Sequence, residues 1–439
     1  KGLNAMSQTY HSLYQKRLAR GRYRDQVRPI LVNNWEGTYF DFDEEKIMEI
    51  AVTAKKLGIE LFVLDDGWFG KRNDDKAGLG DWYPNLEKLP NGISGLAKKI
   101  NDLNMKFGLW FEPEMVNKDS DLYRKHPEWT LKTPNRNSCH GRNQYVLDFS
   151  NPKVVEYIYE MMAKVIEEGQ ISYIKWDMNR CMSEVYSSIH SPSSQGKVMH
   201  EYILGVYRLY EKLTSRFPEV LFESCASGGA RFDPAMMYYA PQCWTSDDTD
   251  AVERLKIQYG TSYVYPISAM GAHVSAVPNH QVFRNTPIET RANVAYFGTF
   301  GYELDLNKLS QEEQDKIIAQ IKFMKEYREI IQFGTFYRLK SPFEGNETVW
   351  MVVSNDLNTA IVGYYRPLQE VNQGFRRVKL LGLDPNKEYH VSINETDHYG
   401  DELMNLGLLT SDSSCGENRE TYDGTNGDYL SRLYIIKAK

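Results

Sequence analysis

The sequence predicts an α/β fold: a (β/α)8 TIM barrel followed by a small C-terminal all-β sandwich. Three observations carry this. Short apolar runs alternate with amphipathic helical stretches about eight times over roughly 300 residues, the beat of a barrel of parallel strands. Several of those runs end in acidic, aromatic or amide residues, as barrel strands do at an active-site rim. After Phe333 the strand–helix beat stops, and short strands follow between Gly, Asn and Asp turns. A chain of 439 residues is also too long for one compact core. The expected division is a leading helical arm at 1–28, a catalytic barrel at 29–332 and an antiparallel β-sandwich at 333–439.

Residues 4 to 20 read as a basic helix that stops at Gly21, an arm expected to pack on the barrel. Pro29-Ile30-Leu31-Val32 is the first strand and ends in Asn33-Asn34-Trp35-Glu36. Asp43 is placed to cap the next helix, whose stripe is Ile47, Ile50, Ala51, Ala54 and Leu57, with Gly58 as its stop. Leu61-Phe62-Val63-Leu64 is the second strand and runs into Asp65-Asp66-Gly67-Trp68. A helix with Ile93, Leu96, Ala97, Ile100 and Leu103 on one face leads to the third strand, Phe107 to Phe111, which ends in Glu112-Pro113-Glu114. Residues 115–149, with Arg142 among them, read mostly as loop, and a loop that long in a compact domain is usually functional.

Ser150 or Asn151 caps a third helix with Pro152 in its first turn. The fourth strand is Tyr173-Ile174-Lys175-Trp176, followed by Asp177-Met178-Asn179-Arg180. Alternation puts Lys175 and Asp177 on one face. A helix at about 198–216 precedes a fifth strand, Val220-Leu221-Phe222, ending in Glu223 to Gly229. Gln242 to Thr245 is the sixth and ends in Ser246-Asp247-Asp248-Thr249-Asp250, a run that also reads as an N-cap cluster for a helix from Ala251. Tyr263 to Pro266 and Val294 to Phe297 are the expected seventh and eighth strands. In the β module, Thr348 to Val353, Ala360 to Tyr365 and Leu433 to Ile436 are strands without a charged end, which speaks for packing rather than chemistry.

Bulk properties narrow the function. Hydrophobic residues make up 41% and charged residues 25%, ordinary for a globular protein. A net charge of −7 argues against nucleic acid or an anionic membrane as the main partner. No apolar run reaches the roughly 18 residues of a membrane span, and no signal peptide is present. The chain opens on Lys rather than Met, so missing targeting information carries little weight. Cys139, Cys181, Cys225, Cys243 and Cys415 form neither a disulfide framework nor a zinc-ligand pair. A reducing, cytoplasmic compartment is expected, with no metal and no cofactor.

Carboxylates at several strand ends fit two chemistries: a divalent-metal site, or the paired carboxylates that flank a glycosidic bond. The metal reading wants His among the strand ends, and only His273 lies near a late strand. Rim tryptophans (Trp35, Trp68, Trp110, Trp176 and Trp244) favour a sugar. In the glycosidase reading Asp177 is the nucleophile, kept ionised by Lys175, and Asp247 the acid/base, with Asp248 as its rival. The two carboxyls are then expected roughly 5–5.5 Å apart, as in a retaining enzyme. A nucleophilic Cys225 is disfavoured, because no His lies at a nearby strand end to activate it.

Five motifs in order resemble the bacterial melibiase-type α-galactosidases of glycoside hydrolase family 36. They are Leu64-Asp65-Asp66-Gly67-Trp68, Trp110-Phe111-Glu112-Pro113-Glu114-Met115, Lys175-Trp176-Asp177-Met178-Asn179, Cys225-Ala226-Ser227-Gly228-Gly229 and Trp244 to Asp250. Gly400-Asp401-Glu402-Leu403-Met404 extends the match into the β module. The resemblance implies a retaining exo-α-galactosidase acting on melibiose- and raffinose-type sugars, with Asp177 as nucleophile and Asp247, not Asp248, as acid/base. It implies that Asp65 and Asp66 hold O4 and O6, Lys175 O3 and O4, and Asn179 the O2 region. Trp110, Arg142 and Trp35 match pocket and rim residues, and Cys225, Ser227 and Gly228 line the wall near O2. Alternatives are an α-N-acetylgalactosaminidase on the same scaffold, an inactive sugar-binding protein, and a metal-dependent barrel isomerase. Family members usually carry an N-terminal β-sandwich domain, and this chain starts where that domain would end; a truncated chain or a lineage without the domain is implied. A homo-oligomer is compatible with the resemblance.

Overall fold

The computed structural model describes residues 2–371, 374–393, 395–410 and 427–439. Cys415 lies outside them. Eight parallel strands form a closed barrel in chain order: β1 (Leu31–Asn33), β2 (Leu61–Leu64), β3 (Lys106–Phe111), β4 (Tyr173–Trp176), β5 (Leu221–Ser224), β6 (Gln242–Trp244), β7 (Met270–Ser275) and β8 (Thr299–Glu303). The chain divides into two compact units, residues 18–247 with 302–314, and residues 1–17 with 248–301 and 315–439.

In the first unit, strand register sets the chemistry of the barrel interior. Leu31 pairs with Leu61, and Gly108, Tyr173 and Leu221 form a row across β3, β4 and β5. Leu31, Leu61, Tyr173 and Leu221 pack into one apolar cluster with Tyr23. Gly108 is required there, since a Cβ at that position would lie 2.8 Å from the Tyr173 Cβ. Two residues further along, the same faces carry Trp110, Lys175, Glu223 and Gln242 in register. The interior thus turns from apolar to charged within one pleat repeat, towards the ends of the strands.

The helices follow their sequence signals. Asp43 accepts from Lys46 N to cap α2 (Glu44–Leu57), which Gly58 ends with φ 98°. Asn151 accepts from Lys153 N to cap α4 (Pro152–Glu168), which follows α3 (Gly92–Asp102) and precedes α5 (Val198–Arg216). The segment 115–149 is more ordered than expected. It holds an antiparallel pair, Met115–Asn117 with Gln144–Val146, and between them a short helix, Asp121–Lys125. Arg142 (φ 50°) and Asn143 (φ 60°) form a separate turn between Gly141 and Gln144, just before the second of these strands, with the doubly left-handed geometry of a tight two-residue turn.

In the second unit, the expected seventh and eighth strands are corrected. Tyr263, Val264 and Tyr265 donate to carbonyls of Gly260 and Thr261, a turn that runs on from α6 (Ala251–Thr261). Val294 and Ala295 are the buried end of α7 (Ile288–Ala295). A short apolar run has no period to separate a buried helix end from a strand. The true β7, Met270 to Ser275, is buried throughout but lacks the β-branched bias that would mark it. The arm helix α1 (Leu3–Leu13) bonds along Thr335–Lys340, where Asn4 and Arg338 exchange two hydrogen bonds of 3.0 Å, and to the turn after α6, where Ser7 Oγ donates to the Tyr263 carbonyl at 2.8 Å. The β module has a six-stranded antiparallel sheet. Its second layer is thin, made by the pair Arg377–Val378 and Leu408–Leu409 with a short helix, Gly400–Asn405. Val349, Met351, Val362, Tyr364, Leu380, Leu403 and Ile436 are among its core residues.

Candidate active site

Asp177 follows directly on β4, where alternation turns it inward above Lys175. Both its oxygens are surrounded by donors. Oδ2 accepts from Trp110 Nε1 at 3.1 Å and Asn179 Nδ2 at 2.7 Å, and Oδ1 from the backbone N–H of Met178 at 2.8 Å and of Ser227 at 3.4 Å. The hydrogen bond of Lys175 goes to Asp65, Nζ to Oδ2 at 2.9 Å, and its charge also acts on Asp177. Burial pulls Lys175 down, but Asp65 first and then Glu303 hold it well above its ordinary value, with Asp177 contributing. The lysine is a buried cation shared by a carboxylate cluster.

Asp65 also accepts from Asn33 Nδ2 at 2.6 Å, and Asn33 Oδ1 takes the backbone N–H of Trp35 at 2.7 Å. Asn33 therefore ties the turn bearing Trp35 to the cluster, a role its position in a strand-end Asn pair did not reveal. Trp35 stands half-buried between Tyr39 and Phe40, with ring centroids 5.2 Å from each. Asp66 is held by Arg72 in a two-point pair, Nε to Oδ1 at 2.9 Å and Nη2 to Oδ2 at 2.8 Å. Burial nevertheless keeps Asp66 above its ordinary value against the pull of Arg72. Arg72 comes from the loop after β2, and no sequence signal marked it.

The segment after β5 forms one wall. Cys225 is buried, and burial followed by the charge of Asp177 drives its thiol well above the ordinary range, the opposite of an activated nucleophile. Ser227 (φ 48°) donates through Oγ to Asn179 Oδ1 at 2.9 Å and accepts from Arg142 Nη1 at 3.3 Å. Gly228 has φ 84°, and a Cβ there would lie 2.6 Å from Ser246 Cα and 3.0 Å from Asp247 N. Only glycine lets this wall close against the end of β6. Asp247 Oδ1 accepts from Trp244 Nε1 at 3.1 Å. Burial, then the charge of Asp177, raises the Asp247 carboxyl above its ordinary value. The N-cap of α6 is Asp250, which accepts from Val252 N and Glu253 N, so the capping role does not fall on Asp247.

Glu112 and Glu114, read alike in the sequence, separate. Glu114 lies behind β4, where it accepts from Trp176 Nε1 at 3.0 Å, Tyr202 Oη at 2.6 Å and Arg231 Nη1 at 2.9 Å. Glu112 faces the site: its Oε1 takes the backbone N–H of Asn179 and its Oε2 takes Gln144 Nε2 at 3.1 Å. Burial, then the charge of Asp177, pushes it up to about 8.

A parallel barrel whose strand ends set a donor-saturated carboxylate beside a carboxyl raised above its usual range defines the glycoside-hydrolase class of site. The chain belongs to the melibiase family, whose sequence model matches residues 1–334, and the glycosyl hydrolase family 36 C-terminal domain matches residues 347–436. It is 59% identical over 438 residues to the α-galactosidase AgaA of Geobacillus stearothermophilus, and 48% identical over 439 residues to the α-galactosidase Mel36A of Lactobacillus acidophilus. Each match covers 100% of this chain and 58% of the relative, so the chain spans well under two thirds of their length. The crystal structure of AgaA superposes with a TM-score of 0.96 at 56% identity, covering 100% of this chain and 59% of that one. A doubly substituted AgaA in complex with raffinose gives a TM-score of 0.96 at 55% identity over the same shares.

Proposed function

We propose that the chain acts as a retaining exo-α-galactosidase, releasing terminal α-D-galactosyl residues from melibiose- and raffinose-type sugars. The observation that carries this reading is the donor-saturated Asp177 beside the raised Asp247. The names of its relatives and the raffinose complex of AgaA support it.

Asp177 is the nucleophile. An oxygen lone pair attacks the anomeric carbon as the bond to the aglycone oxygen breaks, and Asp247, entering protonated, gives its proton to that oxygen. Asp247, now ionised, takes a proton from water, whose oxygen displaces Asp177 and restores the anomeric configuration. Asp65 and Asp66 accept hydrogen bonds from O4 and O6, Lys175 donates to O3 and O4, and Asn179 reaches the O2 region. Trp110, Arg142, Cys225, Ser227 and Gly228 complete the pocket, with Trp35 at its rim. A carboxylate pair reading the axial O4 penalises glucose, whose equatorial O4 leaves buried acceptors unpaired. The four described cysteines are free thiols, which supports a cytoplasmic setting.

The test is turnover of an aryl α-galactoside beside the matching α-N-acetylgalactosaminide. Wild-type protein turns over the galactoside, and Asp177→Ala lowers kcat by at least about ten-thousandfold. Turnover of the acetamido sugar alone, or galactoside turnover that survives in Asp177→Ala, would overturn the proposal.

A further inference from the structure

Glu112 takes no part in the proposed reaction, yet its carboxyl is bonded directly to the nucleophile's turn. It is fully buried, its oxygen receives the backbone N–H two residues after Asp177, and its side chain spans from there to Gln144. The charged groups facing it are Asp177 beyond β4, and Asp66 and Arg72 from the loop after β2. The one cation of these, Arg72, is bound at both ends of its fork to Asp66. A second carboxylate here would be a buried charge without a cation, next to two others. Gln144 is informative as well. Its Oε1 is buried with no hydrogen-bond partner, so only Glu112 sets which way the amide faces.

We propose that Glu112 is a positioning residue that works as a neutral carboxylic acid, its carbonyl oxygen anchoring Asn179 N–H and its hydroxyl donating to the Gln144 amide oxygen, turned over from the placement above. The anchor fixes the turn that carries both Asp177 and Asn179. Neutrality spares that turn a second buried carboxylate charge beside Asp177. The value of about 8 for Glu112 agrees with a group that holds its proton at neutral pH. The inference rests on the reading of Asp177 as nucleophile, and its test has an arm that does not.

That arm is stability against pH, wild type beside Glu112→Gln. The folded value lies above the ordinary 4.5 of the unfolded chain, so between the two the folded protein holds a proton the unfolded chain has released. Wild type therefore loses stability as pH rises through that window, and Glu112→Gln does not. The variant's melting temperature should climb relative to wild type from pH 5 to pH 8 and level off above. A constant difference across this range overturns the neutral state. The second arm is kinetic. Glu112→Ala removes the anchor and should lower kcat by about 10–100-fold with little change in KM, and Glu112→Gln, which keeps an acceptor for Asn179 N–H, should recover most of that loss. A Glu112→Gln variant as impaired as Glu112→Ala overturns the positioning role. If wild type shows no galactosidase turnover, the functional reading fails, and the stability arm still decides the charge state.

Discussion

Arg72→Met removes a guanidinium and keeps roughly its volume. Asp66 and Arg72 are both buried, and the fork closes on the carboxylate at 2.8 and 2.9 Å. Asp66 remains above its ordinary value even with Arg72 present, so burial outweighs the attraction. The pair is thus no large net gain over two neutral groups, and the damage comes from breaking it. Loss of one partner from a buried pair costs on the order of 3–5 kcal/mol. Arg72 also donates to the Ala77 carbonyl and to Asn117 Oδ1, both at 3.2 Å, which places the effect at the upper end. The sign with pH follows. Without Arg72 the folded value of Asp66 rises further above its ordinary 3.8, and the folded variant then binds a proton that the unfolded chain does not. The deficit should be largest near pH 8 and shrink as pH falls towards 4. Urea unfolding at pH 5 and pH 8 measures it, and Asp66→Asn with Arg72→Met should cost about 2 kcal/mol less than the sum of the single changes. A deficit below about 1 kcal/mol that is flat in pH would mean that Arg72 does not hold a buried Asp66 charge.

Two further outcomes are expected. Asp247→Ala should slow raffinose hydrolysis by about 10²–10⁴-fold, and far less on an aryl galactoside whose aglycone oxygen departs without a proton; equal losses on both would remove Asp247 from the acid role. Gly228→Ala should destabilise the protein by about 1–3 kcal/mol and depress kcat, because a left-handed backbone and a 2.6 Å clash with Ser246 leave the wall nowhere to go; a melting temperature equal to wild type would contradict this.

Six of the eight barrel strands were legible because Leu61 to Leu64 or Phe107 to Phe111 are unbroken apolar runs that stop at charge. The last two were hidden by helix ends that are as apolar as strands. In the site, residues on or just past a strand could be placed by alternation, and Trp110, Lys175 and Asp177 do converge. Alternation stops where the strand stops. Glu112 and Glu114 are two apart and would share a face on an extended chain. The chain turns at Pro113, however, with Met115 N bonded back to Glu112 O, and sends them to opposite sides of β4. Arg72 and Gln144 come from a loop and a short strand pair, where no period tells which way a side chain points.

The four donors on Asp177 have a consequence for timing in the proposed reaction. Hydrogen bonds to an anion make it a poorer attacking group and a better departing one. The arrangement that slows the first bond-making step also strains the resulting ester, because the oxygen bound to carbon loses its hold on a donor that recovers it when water cleaves the ester. Trp110 and Asn179 on one oxygen, Met178 and Ser227 on the other, act on both halves of the cycle in opposite senses. The galactosyl–enzyme is then the short-lived species of the cycle. An acceptor sugar that is to intercept it must fill the place the aglycone vacates before water attacks, so how fast that place is refilled governs transfer against hydrolysis.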